Sequence, residues 1–149
     1  MDSTLILEYV ESLSRPRTLL PANQLDLVRA LRVIGLSLAA CEKTVQIVYE
    51  RGLRPPEKLH QPWIDRVTEQ LQAAYAELEA QFVAEGRSLP GWPLDQAAIS
   101  AAVAWHFTQQ MLPGELAPAD HPALVAHSLA AEQLPEFRAA PHGEGIVNF

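Results

Sequence analysis

Cysteine, positive charge and strand-forming runs are all scarce in this sequence. Cys41 is the only cysteine among 149 residues, so no disulfide can form within the chain. That suits a reducing compartment, and a cytoplasmic location is expected. Eleven Lys and Arg stand against eighteen Asp and Glu, a formal net charge of −7. With no clustered basic face, the chain is a poor partner for nucleic acid. The sequence does not open on a basic segment followed by an apolar run, so no secretory leader is expected. Long hydrophobic runs are missing too. The longest weakly polar stretch, Gln96 to Gly114, is interrupted by Gln109 and Gln110, and it reads as a buried helix rather than a membrane span. Neither an HExxH nor a CxxC spacing occurs. The five histidines, His60, His106, His121, His127 and His142, form no metal-ligand pattern, since His121 and His127 do not share a helical face.

What is present is helical. Hydrophobic residues make up 48% and charged residues 19%, a globular composition of one-domain length. Asp2 and Ser3 look like a helix start, with Leu5, Ile6, Tyr9 and Val10 as its apolar stripe. "SRPRTLLPAN" (Ser14 to Asn23) reads as a connector, with Asn23 placed to cap the next helix. From Gln24 to Arg51 no proline occurs. Val33, Ile34, Leu36, Leu38, Ala39, Ala40 and Cys41 cover most of the circumference, which predicts a helix in the middle of a bundle, ending at Gly52. Ile64, Val67, Leu71, Ala74, Tyr75, Leu78 and Phe82 then recur at steps of three and four, an amphipathic helix that Gly86 would close. Asp95 is an N-cap for a helix from Gln96 to Met111 that contains no Asp, Glu, Lys or Arg. The core should centre there, with Ile99, Val103 and Phe107 almost fully buried. Pro122 opens a further helix with Leu124, Val125 and Leu129 on its apolar face, and Pro135 starts a last short turn. Trp63, Trp92 and Trp105 read as core or loop anchors. The class is all-α: four main helices plus a short N-terminal one.

In order and spacing these pieces resemble the C-terminal half of a cytosolic glutathione transferase of a common bacterial type. Four segments carry the likeness: "DSTLILEYVESL", "RTLLPAN", "VYERGLRPPEKLHQPWIDRVTEQLQAAYAELE" and "HPALVAHSLAAEQLPEFRAAP". Together they cover nearly the whole chain. The resemblance implies a glutathione-transferase C-terminal-like helical bundle over residues 24–149, a linker at 14–23, and at 1–13 the last helix of a thioredoxin-like domain. It implies conjugation of glutathione, as co-substrate, to hydrophobic electrophiles. In the family the catalytic Ser, Tyr or Cys belongs to the thioredoxin-like domain, so no catalytic residue is expected here and the isolated chain should be inactive. The partners implied are that domain or a second copy of the chain in a homodimer. The rival reading is a non-catalytic helical protein-interaction module.

The resemblance also implies sites. Asp2 and Ser3 match the pair that grips the γ-glutamyl end of glutathione, and a helix N-terminus with a Ser hydroxyl suits a carboxylate. The plainer reading of both is a helix cap. By position, Cys41, Val45 and Val48 line a wall of the family's hydrophobic substrate pocket, and Trp105 could face it. Core packing accounts for the same residues. Nothing near Cys41 in sequence would depress its pKa, so an inert thiol is expected. The family usually closes a reciprocal capping box around the position of Asp95. Here Ala98 stands in the returning position, so the box is half built, and Ala98→Asp should restore the bond. His127 stands where the family type more often has Trp, a departure expected to loosen that corner.

Overall fold

Helices carry the regular structure throughout the computed structural model, which describes residues 3–16, 18–86 and 93–141. They are α1 (Ser3–Leu13), α2 (Gln24–Leu53), α3 (Gln61–Glu85), α4 (Gln96–Met111), α5 (Pro122–Ala131) and α6 (Pro135–Ala139), with short 3-10 turns at Pro56–Lys58 and Pro118–Asp120. No strand occurs among the described residues. The core lies where α2 packs on α3 and α4, and where α5 packs on α3 and α4.

Local chemistry sets the helix ends. Asn23 Oδ1 accepts from Asp26 N at 2.9 Å and starts α2, satisfying one of the free N–H groups of its first turn. Gly86 ends α3 in the left-handed region (φ 59°), a conformation that glycine adopts without a Cβ penalty. The Asp95 carboxylate accepts from Ala98 N at 2.7 Å and starts α4. Asp95→Ala is therefore expected to cost about 1 kcal/mol in a denaturant melt. The expectation for Ala98 is overturned. Ala98 is fully buried, and the Asp95 N–H already donates to Pro93 O at 2.9 Å. A returning carboxylate would find no vacant donor and would be buried, so Ala98→Asp should destabilise.

All seven stripe residues of α3, from Ile64 to Phe82, are buried. Four other expectations are corrected. In α2, Ala30, Val33, Ser37, Ala40, Thr44 and Ile47 face the core, while Leu25, Val28, Leu31, Leu38, Tyr49 and Leu53 are exposed. The helix is thus covered on one side only, and it runs one residue past Gly52. In α4 the buried face is Ala97, Ala98, Ala101, Ala102, Ala104, Trp105 and Thr108. Val103 is 50% exposed, and Ile99 and Phe107 are only half-buried. The alanines let the α4 backbone approach its neighbours closely, because interaxial distance follows side-chain size at the contact. The bulky ladder lies on the opposite side. In α5, Leu129 is 65% exposed, and His127 takes the buried position beside Leu124. Trp63, in the first turn of α3, is 42% exposed and is no core anchor. Trp92 lies outside the described residues.

Candidate functional site

Asp2 lies outside the described residues. Ser3 is the first residue of α1, and nothing is described of its side chain. The helix α1 is thinly held. Leu5, Ile6, Leu7, Tyr9, Val10 and Leu13 are all exposed, so the apolar stripe of this helix is not buried. Glu11 ties α1 to the body. Its Oε1 accepts from Thr18 Oγ1 at 2.6 Å and from Leu19 N at 2.7 Å. The Leu19 carbonyl in turn accepts from Gln96 N, in the first turn of α4, at 2.9 Å. These bonds, led by the one from Thr18, hold the Glu11 carboxyl below its ordinary pKa. Between α1 and the exposed side of α2 lies a cleft of about 600 Å³, with Leu7, Val10, Leu31, Ile34 and Leu38 among its walls. A second, of about 510 Å³, lies between the connector and the start of α4, beside Asp26, Arg29 and Asp95.

Cys41, Val45 and Val48 share one face of α2 and are each half-buried. Neither cleft includes them. Burial pushes the Cys41 thiol pKa up, so the thiolate is scarce at neutral pH. Trp105 is almost fully buried, edge-on to Tyr75 at 5.3 Å and tilted against His121 at 5.2 Å. Beneath them runs a buried hydroxyl chain. Tyr75 O–H donates to Ala104 O at 2.7 Å, and its oxygen lies 2.7 Å from Thr108 Oγ1. Thr108 lies 2.7 Å from Thr44 Oγ1, which donates to Ala40 O at 2.9 Å. Burial drives the Tyr75 pKa well above the ordinary phenol value. Its proton stays in place at physiological pH, and the hydroxyls satisfy one another inside the core. Among the described residues no cluster of three His, Cys, Asp or Glu could hold a metal.

The comparisons with known proteins bear on this thinly held first helix and the bundle behind it. No protein-family model matches the sequence, and no curated protein sequence does. Solved structures match it well. A glutathione transferase family member from Pseudomonas fluorescens Pf-5, with bound glutathione, is 31% identical over 96% of this chain and 68% of its own, with a TM-score of 0.84. The chain belongs to the glutathione transferase family. The same Pseudomonas protein with bound S-(propanoic acid)-glutathione matches at a TM-score of 0.81 over 93% of this chain and 69% of its own. A glutathione S-transferase from Methylobacterium radiotolerans, in complex with glutathione sulfonate, is 22% identical. It shares the fold over all of this chain and 70% of its own, with a TM-score of 0.82. The all-helical bundle thus matches the transferases' C-terminal helical domain.

Two features of this transferase-family bundle differ from, or escape, a reading of the sequence. His127 is the first. The ring is buried, packs edge-on to Phe82 at 4.7 Å, and its Nε2–H donates to Ala98 O at 2.9 Å. Glu79 of α3 is the second. Its two carboxylate oxygens accept from Ala123 N at 2.8 Å and Leu124 N at 2.9 Å, capping α5 from a neighbouring helix. The signal for it was an omission. His121 precedes Pro122 as a poor N-cap, so the free N–H groups of α5 require an acceptor from elsewhere.

Proposed function

We propose that this chain is the helical part of a glutathione transferase that conjugates glutathione to hydrophobic electrophiles, and that these 149 residues alone do not catalyse. In this reading residues 1–13 are the last helix of a thioredoxin-like domain, 14–23 the linker and 24–149 the helical domain. Asp2 and Ser3 hold the γ-glutamyl end of glutathione. Cys41, Val45, Val48 and Trp105 form one wall of the electrophile pocket. The enzyme works in the cytoplasm, as a homodimer.

The observation that carries the proposal is α1. A short helix with a broad exposed apolar face is marginal in water, and such a surface marks a covering partner. In the Pseudomonas protein about a third of the chain lies outside the matched 68%, enough for a small domain. The inactivity follows from the hydroxyls and the thiol. Thiolate formation on glutathione needs a donor that stabilises the anion, whereas Tyr75, Thr44 and Thr108 are sealed in the core and Cys41 is held as a neutral thiol. The same exposed apolar helix also suits the second reading, a non-catalytic interaction module. Among the described residues no helix is long and apolar enough to cross a membrane.

The test joins the unmatched part of the Pseudomonas transferase to this chain and assays glutathione with 1-chloro-2,4-dinitrobenzene. The fusion is expected to turn over and the 149-residue chain to stay at background. Turnover by the chain alone would refute the inactivity. A folded fusion that neither binds glutathione nor turns over would favour the interaction module.

A further inference from the structure

We infer that Glu11 is the positioning residue of α1, an acid-sensitive latch that sets where the start of that helix stands relative to the helical core. Three observations meet at this carboxylate. First, α1 presents its apolar residues to solvent and to the 600 Å³ cleft rather than to a packed interface, so side-chain burial does little to fix it. Second, the Glu11 carboxylate takes two hydrogen bonds from outside the helix, from Thr18 Oγ1 and Leu19 N. The hydroxyls of Ser12 and Ser14 bond only to Tyr9 O and Glu11 O, and so lock nothing to the core. Third, the latch is continuous with the core, because the Leu19 carbonyl takes the Gln96 N–H at the start of α4. A movement of Glu11 therefore moves α1 against α4 and not only against a loop.

The charge on Glu11 sets the strength of the latch, since hydrogen bonds to an ionised acceptor are about twice as strong as neutral ones. Among the described residues the charged groups around it are few. Arg15, just past the end of α1, favours the carboxylate. Glu8 lies one turn back along α1 and on the same cleft. The cleft residues of α2 and α4, Leu31, Ile34, Leu38, Gln96 and Ser100, carry no charge. The folded-state pKa of Glu11 lies below the ordinary value of 4.5. The stabilisation is therefore complete above the ordinary carboxylate range and is lost as pH falls through the folded value. Protonation leaves the two donors facing a neutral acid, and α1 detaches with its start.

If the proposed function holds, the start of α1 carries the glutathione contacts, and the latch positions them. That consequence rests on the transferase reading. The latch itself does not, and glutathione is absent from its test. Amide hydrogen exchange of the full 149-residue chain is followed between pH 7 and pH 2.5, corrected for the intrinsic rate, in the native sequence, Glu11→Gln, Glu11→Ala and Thr18→Val. At pH 7 the protection of α1 is expected to drop about tenfold in Glu11→Gln and further in Glu11→Ala, with α3 and α4 unchanged. Native α1 should lose protection on acidification until it matches Glu11→Gln, whose own profile stays flat. Thr18→Val should lose less and keep the acid dependence. Equal protection of α1 in the native chain and Glu11→Ala would overturn the latch, as would an acid dependence that persists in Glu11→Gln. In the fusion, Glu11→Gln should raise KM for glutathione more than it lowers kcat. An active fusion with no such split would overturn the positioning role and leave the transferase reading standing.

Discussion

Ala101→Asp is expected to abolish the cooperative thermal transition of this domain, and Val103→Asp, two positions further along the same helix, to leave it nearly unchanged. Ala101 has no exposure to solvent, and it sits on the face of α4 that meets its neighbours through small side chains. A carboxylate there is buried without a partner, which costs several kcal/mol, and its added volume strains a close-packed contact. That loss is comparable to the whole stability of a typical domain, about 5–15 kcal/mol. Val103 is half exposed, so the same substitution meets water and should change stability by no more than about 1 kcal/mol, chiefly through helix propensity. Circular-dichroism melts of the two variants decide it. The reverse order of effects would mean that α4 is rotated relative to its neighbours.

Glu79→Ala should be the most damaging single change at a half-buried polar position, at about 2–3 kcal/mol. It removes two hydrogen bonds to a charged acceptor and the carboxylate at the positive end of α5 together. The Ala123 and Leu124 N–H groups have no acceptor of their own, because Pro122 precedes them and His121 makes no side-chain cap bond. Glu79→Gln keeps one acceptor oxygen and should lose about half as much. Chemical denaturation gives the magnitudes. Amide exchange at Ala123 and Leu124 should rise well before that of α3. A neutral Glu79→Ala would mean that α5 holds its start by packing alone.

Chain order and local chemistry made much of this fold legible. The period of apolar residues located α3 and its buried face, residue by residue, because a long amphipathic helix with a polar back has only one face it can bury. Asn23, Gly86, Asp95 and Pro122 marked helix ends, since capping depends on neighbours three or four residues away. The four segments that resemble glutathione transferases led to the family that the Pseudomonas structure then established. The candidate site was less legible. Ser3, Cys41, Val45 and Val48 fall on the helices expected of them, while the ties that matter around α1 and α5, through Glu11 and Glu79, reach across gaps of 8 and 44–45 residues.

By itself, then, the sequence determined an all-helical chain, the limits of most of its helices and the family to which it belongs. Periodicity, capping and proline act within a turn or two of the backbone and leave a local trace. Only the tertiary structure decided which side of α2, α4 and α5 faces inward. Where a helix is apolar nearly all round, as α2 is, or uncharged, as α4 is, the hydrophobic pattern does not choose a face. Close packing chooses it, by the size and shape of what lies opposite. In α4 that rule put the alanines inside and left Val103 in water.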